Sequence, residues 1–491
     1  MIKQQPYPGA GKKTALYFFI ISAFLAGSLF MHGCADMTAN IKDRYLPSDL
    51  PKTWNIELSE QQMPVTDGLL SIINDRDLTS LVREAVQNNY DLRATALRLK
   101  AQGYLLKSSG AKRFPEIGAE FSGERGNHLL DEETGQYFTG NDNRVTLSLG
   151  WEIDIWGKLA DENRADEYMY YGQKEEFLKA RDALAARVIQ VWIERIIIKN
   201  NLILNQERVR LLKQIEDLIK DRFLNGTVTL DDLSAARARV DLAKAEVTGY
   251  RKSLRQSTRQ LEVLLGRYPE GKLSLKKEIP IIPALSPQTP VAVLLNRHDV
   301  KNGIANIKAK AYTSCSARKA RLPEIKFSGQ VFRDSAVLGS LGSSPTYRDF
   351  LGSLFQPIFS GGRLINQAEA KNNEYQAALM DLQETVLLAM KEVEDLIDSE
   401  QQFASQRELL ESALKQSENS VSYYQDRYRQ GLATFHELQT ALEQKIDIQM
   451  KFNETKGQNM LNRIELMLAL GAGVWNPNGN HAEYGDMHAK R

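Results

Sequence analysis

Two matching segments decide the predicted fold: "DRFLNGTVTLDDL" at residues 221–233 and "DRYRQGLATFHEL" at residues 426–438. Each places a glycine, Gly226 or Gly431, shortly before a threonine that is followed three residues later by an acid. Glycine adopts the left-handed conformation that ends helices. A threonine with an acid three residues later forms a capping box that begins a helix. Each segment therefore predicts the tip of a helical hairpin.

The two tips belong to an internal duplication that spans most of the chain. The shift between matching residues is 205 at three anchors and 208 upstream of them, so a three-residue difference in loop length accounts for the change. Such shared order and spacing within one chain indicates a duplicated unit. The anchors pair Gly157 with Gly362, Gly226 with Gly431, Gly266 with Gly471, Pro115 with Pro323 and Asp91 with Asp299.

Each repeat begins with a predicted helix, such as residues 78–103, in which apolar residues recur at helical spacing. Strands follow at residues 117–123, 144–154 and 325–332, where apolar and polar residues alternate, and more weakly at residues 347–355. The polar, glycine-containing segments 123–143 and 333–346 predict exposed hairpin loops. One strand face would carry Val145, Leu147, Leu149, Trp151 and Ile153, and the other Thr146, Ser148, Gly150, Glu152 and Asp154.

Unusually long helices are predicted between the strands and the tips. Gly157 and Gly226 are 69 residues apart, as are Gly362 and Gly431, and no proline interrupts either stretch. A continuous helix of that length would extend roughly 100 Å. The first returning helix has an apolar seam with spacings of 3, 4, 3 and 4 residues, which favours coiled-coil packing. The seam consists of Leu233, Ala236, Val240, Ala243 and Val247.

The N-terminus predicts export from the cytoplasm. Basic residues precede an apolar run at residues 16–31, which is shorter than the roughly 20 residues of a spanning helix. A membrane anchor is the alternative. Gly33 before Cys34 resembles the bacterial lipobox, in which the cysteine is acylated, although Met31 and His32 depart from its preferred residues. Ala35 after the cysteine would imply sorting to the outer membrane.

Composition and motifs exclude several other classes. A net charge of +1 provides no field that would recruit nucleic acid. Cys34 and Cys315 are the only cysteines, so an acylated chain could form no internal disulfide. His436-Glu437 lacks the second histidine of a zinc motif, because position 440 is threonine. We predict no catalytic residues, no metal site and no cofactor.

The strands also predict an assembly. In a bilayer every strand edge must be paired, so only closed barrels are viable, and bacterial barrels contain at least about eight strands. Four strands per chain cannot close a barrel. Three copies would supply twelve strands, and their helices would assemble side by side into a tube.

This arrangement resembles the outer-membrane efflux protein family, particularly its lipoprotein branch. The resemblance covers residues 77–475 and depends most on the paired tip motifs. His298 departs from the family pattern, in which proline usually occupies this position. The other matching motifs are "LVREAVQNNYDLRATALRLKA" at residues 81–101, "RHDV" at 297–300, "RLPEI" at 321–325 and "PIFSGGR" at 357–363.

The resemblance implies an α+β membrane protein: a homotrimer with a shared twelve-stranded barrel in the outer membrane of a Gram-negative bacterium and a helical tunnel in the periplasm. The apolar strand face would contact outer-membrane lipid, and the chain would be anchored through Cys34. A periplasmic adaptor and an inner-membrane transporter would be the partners. The chain would passively conduct the transporter's substrates. A protein-secreting duct of the type I kind and a trimeric adhesive stalk are the alternative functions.

The resemblance also implies roles for the tip residues. By motif position, Asp232, Tyr428 and Glu437 match residues that close the family's periplasmic gate, and Arg222 and Arg427 are candidate positive partners. Both acids could instead serve only as helix caps, and both arginines only as solvated surface charges. Ala433 stands where some members carry a charged gate residue. The adaptor-docking candidates are Gly226, Thr227, Val228, Thr229, Gly431, Leu432, Ala433 and Thr434.

The sequence thus predicts six regions. They are a signal peptide at 1–33, an anchored linker at 34–76, a first repeat at 77–271, a second linker at 272–290, a second repeat at 291–475 and a C-terminal tail at 476–491.

Overall fold

The computed structural model describes residues 51, 53–54, 63–64, 68–131, 136–273, 282–286 and 289–474. The predictions for the export signal, for Cys34 and for the tail at 476–491 lie outside the described residues.

The described elements follow a similar order twice along the chain. The first series is β1 (Met63–Pro64), α1 (Leu69–Ile73), α2 (Arg76–Asn88), α3 (Tyr90–Ala111), β2 (Glu116–Asp131), β3 (Gln136–Glu152), α4 (Lys158–Leu224) and α5 (Leu230–Leu264). The second series is β4 (Leu285–Ser286), α6 (Pro290–Asn296), α7 (His298–Lys319), β5 (Glu324–Ser335), β6 (Tyr347–Phe355), α8 (Arg363–Arg429) and α9 (Phe435–Ala469).

The long helices of the two repeats match in length. Helices α4 and α8 each contain 67 residues, and α5 and α9 each contain 35. Glycines with positive φ follow these helices at equivalent positions, with φ of 70° at Gly226 and 74° at Gly431. The predicted duplication of a long helical hairpin is therefore confirmed.

The stretch predicted as one helix over residues 78–103 is two helices. Asn89 separates α2 from α3 and has an extended conformation, with φ −63° and ψ 127°. Its side-chain oxygen accepts hydrogen bonds from the backbone N–H groups of Asp91 and Leu92, at 3.0 and 3.1 Å. The prediction of one continuous helix is wrong at this point. The apolar periodicity continues across residue 89 and therefore gave no sign of a break, whereas the side chain of Asn89 caps the start of α3.

Four strands form one antiparallel sheet in the order β2-β3-β5-β6. Within the described part of the chain, β2 and β6 each present one unpaired edge. A separate short parallel pair joins β1 to β4, with Met63 opposite Leu285. The protomer therefore has an open sheet with two edges free to pair with other strands.

The β2–β3 hairpin is longer than predicted. Most of residues 123–143, expected as a loop, continue the two strands, with Glu124 paired to Asp142 and Gly126 to Gly140. The expectation is wrong because an antiparallel ladder uses backbone groups that polar residues and glycine also supply. The loop expected at 333–346 is largely present, with a 3₁₀ turn at Leu338–Ser340.

The apolar set of β3 shares one face with Ile117, Ala119 and Phe121 of β2, as the alternation predicts. Directly opposed residues in an antiparallel sheet point to the same side, and Leu147 is paired with both Ala119 and Val331. On that same face Phe327 stacks against Phe350 of β6, with ring centroids 6.4 Å apart. The opposite face carries the polar set of β3, together with Phe332 of β5 and Tyr347, Leu351 and Phe355 of β6.

The chain divides into two compact units, each containing segments of both repeats. The first includes Leu99–Lys174 and Asn302–Gln383, and thus the four-stranded sheet. The second includes Glu175–Lys301 and the described parts of Asp49–Arg98 and Glu384–Arg491. A buried apolar cluster around Trp192 forms the main core of the second unit.

None of the helices in the described ranges combines the length and apolar character needed to cross a bilayer.

Candidate functional site at the helical hairpin tips

The first tip joins α4 to α5 through a helix-ending turn. The N–H of Gly226 donates to the carbonyl of Phe223 at 3.0 Å, and the N–H of Thr227 donates to the carbonyl of Arg222 at 2.9 Å. This pair of bonds is a Schellman motif, which requires the left-handed conformation that Gly226 adopts. The predicted role of Gly226 in ending α4 is confirmed.

A capping box then begins α5. The Thr229 hydroxyl accepts a hydrogen bond from the N–H of Asp232 at 3.2 Å. In return, the Asp232 carboxylate accepts from the Thr229 N–H at 2.9 Å and from its hydroxyl at 2.7 Å. The predicted box is therefore complete.

The second tip repeats this geometry at the start of α9. The Glu437 carboxylate accepts from the N–H and the hydroxyl of Thr434, both at 2.7 Å, and the Glu437 N–H donates back to the hydroxyl at 3.3 Å. The N–H of Leu432 donates to the carbonyl of Arg427 at 2.8 Å. Both tips thus use the same stop, turn and cap.

The two capping acids stay ionised under ordinary conditions. A hydrogen bond from the Thr229 hydroxyl, followed by one from its backbone N–H, lowers the pKa of Asp232. The equivalent bonds from Thr434 lower the pKa of Glu437. Both carboxylates are exposed, so each tip presents a fixed negative charge to solvent.

A cation–aromatic contact connects the two tips. The Arg222 guanidinium donates to the Tyr428 hydroxyl at 3.4 Å, and its central carbon lies 5.9 Å from the centroid of the Tyr428 ring. The Tyr428 ring in turn meets the edge of Phe435, with centroids 5.6 Å apart. The structure therefore brings together two of the predicted gate residues that lie 206 positions apart in the sequence.

The second candidate arginine is held within its own tip. Arg427 donates to the Tyr423 hydroxyl at 3.1 Å and to the carbonyl of Leu432 at 3.2 Å. Its charge also contributes to the lowered pKa of Glu437. Ion pairing of Arg222 and Arg427 with the tip acids stays a prediction.

The predicted docking residues are clustered on the two turns. Val228 and Ala433 are half-buried, and the other six are exposed. The backbone of both turns is thus accessible to a partner. Their docking role stays a prediction.

An arginine that no sequence pattern indicated joins three helices. Arg208 of α4 donates to Glu246 of α5 at 3.1 Å and also to Asp447 of α9. Its side chain is 14% exposed. Leu212, one helical turn further along α4, belongs to an apolar cluster that also includes Val240 of α5. The partners are 38 and 239 residues away, so no helical spacing in the sequence could indicate this contact.

The chain thus combines duplicated helical hairpins with an open four-stranded antiparallel sheet. Two curated relatives are similar over most of their length. The chain is 24% identical over 439 residues to the probable outer membrane lipoprotein SilC of Salmonella typhimurium, covering 87% of this chain and 93% of the relative. It is 26% identical over 439 residues to the outer membrane protein OprJ of Pseudomonas aeruginosa, covering 86% and 90%.

A solved structure has the same fold. The CmeC outer membrane channel of Campylobacter jejuni superposes with a TM-score of 0.78 at 20% identity, covering 88% of this chain and 94% of that one. The family model for outer membrane efflux proteins matches residues 81–267 and 289–472, one match in each repeat. The chain belongs to the outer membrane efflux protein family and is an outer-membrane efflux channel. The members of this family are transport ducts.

Proposed function

We propose that the chain forms, as a homotrimer, the exit duct of a tripartite efflux assembly, with a gate at the hairpin tips that a periplasmic adaptor opens. The observation that carries the proposal is the open sheet: within the described residues, one edge of β2 and one edge of β6 are unpaired. A bilayer tolerates no unpaired strand edge. Three copies joined edge to edge would give twelve strands and a closed barrel.

The duct itself is passive in this proposal. An inner-membrane transporter supplies the energy, and the tips change from closed to open when the adaptor binds the open state more tightly. Curated relatives of similar identity are named for different cargoes, since one is a cation efflux system protein and another a toluene efflux pump outer membrane protein. This supports a duct whose cargo is chosen by its pump.

Tip geometry supports a gate there. Asp232 and Glu437 present negative charge next to the turns, and the Arg222–Tyr428 contact ties one tip to the other. We propose that these groups hold the tips together at rest and that an adaptor engages the exposed turn residues. The family resemblance and the described contacts both support a gate at the tip end of the hairpins.

We also propose that Cys34 is acylated, which would hold the N-terminal segment at the outer membrane. A relative named as a probable lipoprotein supports this proposal. Mass spectrometry of the membrane-extracted chain tests it. A mature N-terminus at residue 34 with acyl chains is expected, and an unmodified N-terminus at another residue would contradict it.

The duct and its gate can be tested by single-channel conductance of the purified protein in planar bilayers. The wild type should give small, mostly closed currents. The triple variant Asp232→Ala, Glu437→Ala, Tyr428→Phe should open more often. A matched control, Asp241→Ala, Glu408→Ala, Tyr424→Phe, changes the same residue types elsewhere on the hairpins and should behave as wild type.

Two outcomes would count against parts of the proposal. If neither the wild type nor the triple variant conducts, the proposal that the chain forms a duct is contradicted. The variant Thr229→Val, Thr434→Val removes the capping hydroxyls but keeps both acids. If it opens the channel as far as the triple variant does, the acids act only as helix caps.

A further inference from the structure

An aromatic pair lies on the polar face of the sheet. Phe332 of β5 is directly opposite both Thr146 of β3 and Tyr347 of β6, so these three residues share a face. Phe327, which belongs to the apolar face, is an odd number of positions along β5 from Phe332, and side chains alternate along a strand. Phe332 and Tyr347 therefore lie on the face that carries the polar set of β3, as do Leu351 and Phe355 of β6.

The two rings form a stack with one accessible end. Their centroids are 5.2 Å apart and the ring planes differ by 22°. The Arg144 guanidinium covers the Phe332 ring at 4.7 Å from its centroid and lies 3.9 Å from the carboxylate of Asp334. Tyr347 is 47% exposed, so its ring is available to a passing molecule.

Three acidic residues lie on the same face of the sheet as this pair. Glu120 is opposite Thr146, in the same cross-strand row as Phe332. Asp349 follows two positions after Tyr347 on the same face and accepts a hydrogen bond from Gln330 at 3.0 Å. Three acids (Glu120, Asp334 and Asp349) against one base (Arg144) leave a net charge of −2 per protomer. Aromatic faces and nearby carboxylates both attract cations.

We infer that Phe332 and Tyr347 form a contact site for aromatic organic cations passing through the lumen. The inference rests on the proposed trimeric duct, in which the polar strand face lines the interior and three copies of the pair lie at one level. Ring stacking recognises the flat part of such a cargo, and the acidic neighbours recognise its charge. Aliphatic cations and aromatic anions each lack one of these features.

The sheet contains a matched control for a merely structural role. Cross-strand aromatic pairs stabilise a sheet by themselves, and Phe327 and Phe350 form such a pair between the same two strands on the apolar face. Substituting either pair removes one aromatic stack between β5 and β6. Only the Phe332–Tyr347 pair would face the lumen.

The experiment titrates benzyltrimethylammonium against the potassium current of the wild-type channel in a planar bilayer, with tetramethylammonium as the ring-free probe. In Phe332→Leu, Tyr347→Leu the benzyl compound should need about fivefold more for half block, the effect of roughly 1 kcal/mol of lost ring stacking. Tetramethylammonium has no ring to stack, so its block should shift less than the block by the benzyl compound. The double variant Phe327→Leu, Phe350→Leu should match the wild type with both probes.

Three results would overturn the inference. Equal shifts in the two double variants would show a structural effect, and an unshifted block in Phe332→Leu, Tyr347→Leu would show that the rings do not contact the cation. Absence of any wild-type current would remove the duct and this site together, whereas the first two results leave the duct intact. The milder Tyr347→Leu alone should shift the block in the same direction, which tests the site even if the double variant folds poorly.

Discussion

Asn89 and Arg297 occupy equivalent positions in the two repeats and bind equivalent helix ends. The side-chain amide of Asn89 donates to the carbonyl of Leu264, the last residue of α5, at 3.1 Å. The Arg297 guanidinium donates to the carbonyl of Ala469, the last residue of α9, at 2.8 Å. Carbonyls at helix ends have no hydrogen-bond partner within the helix. In each repeat the missing donor comes from the residue that separates two consecutive helices, α2 and α3 or α6 and α7.

Arg297 should contribute far more to stability than a similar exposed arginine. It also pairs with Asp299 and Glu392, both at 2.7 Å, and is 9% exposed. We expect Arg297→Leu to lower the free energy of unfolding by about 3 kcal/mol, because it leaves the partly buried Asp299 without its ion-pair partner and the Ala469 carbonyl without the arginine donor. Arg267→Leu, which breaks an exposed pair with Glu84, should cost less than about 1 kcal/mol. Denaturant titration in detergent measures both, and equal losses would contradict the prediction.

His298 should make stability depend on pH. Burial alone would lower its pKa, but hydrogen bonds and charges from Asp182 and Glu175 outweigh burial and raise the pKa to about 8. Its Nδ1 lies 2.6 Å from Glu175 and its Nε2 3.6 Å from Asp182. Because the folded pKa exceeds the unfolded value of 6.5, the added stability is complete below pH 6.5 and is lost as the pH rises through 8.

The pKa shift of His298 limits the pH-dependent part of the stability to at most about 2 kcal/mol. Arg181 pairs with Asp182 at 3.1 Å, so that acid keeps one partner when His298 loses its proton. Unfolding titrations at about pH 6 and about pH 9, on either side of the transition, should show the loss in the wild type and not in His298→Asn. An identical pH dependence in the two proteins would rule out His298 as its source.

Two glycines of the first repeat should respond oppositely to alanine. Gly266 has φ of 73°, and a Cβ there would lie 2.7 Å from the backbone oxygen of Asn88. A Cβ at Gly249, inside α5, would meet no other atom within 4 Å. We expect Gly266→Ala to destabilise by more than about 1 kcal/mol and Gly249→Ala to stabilise by about 0.5–1 kcal/mol. Thermal unfolding measures the sign of each change, and a stabilised Gly266→Ala would be inconsistent with the described packing.

The capping threonines should hold the first turns of the returning helices. Thr229→Val should cost about 1 kcal/mol locally, since the hydroxyl that accepts the Asp232 N–H is lost. Hydrogen exchange at the start of α5 should accelerate by roughly fivefold, the equivalent of that energy. The control is Thr248→Val. The Thr248 hydroxyl donates to the carbonyl of Lys244 in the same helix, so this change should leave the exchange at the start of α5 unchanged.

Local features of the fold could be predicted because their causes lie close together in the sequence. Gly226 ends α4, and Thr229 with Asp232 begins α5, through contacts within a few residues. Strict alternation likewise predicted the apolar face of β3. The break at Asn89 is also local, but it was not predicted because the apolar spacing of α2 and α3 continues across it.

Other features of the site depend on residues that are distant in the chain. Arg222 meets Tyr428, and Arg208 meets Asp447, only after two hairpins pack together. The strand extension at 123–143 depends on pairing between two polar segments that show no alternation. The Phe332–Tyr347 stack depends on the register between β5 and β6.

The sequence by itself determined the duplication, the helical hairpins with their caps, and the faces of the alternating strands, since each follows from conformational preference or periodicity over a short span. Only the tertiary structure decided which arginine contacts which tip, how far the β2–β3 hairpin extends, and which side chains bind the ends of α5 and α9. Those outcomes depend on packing and register between distant segments, and local sequence patterns predict neither of them.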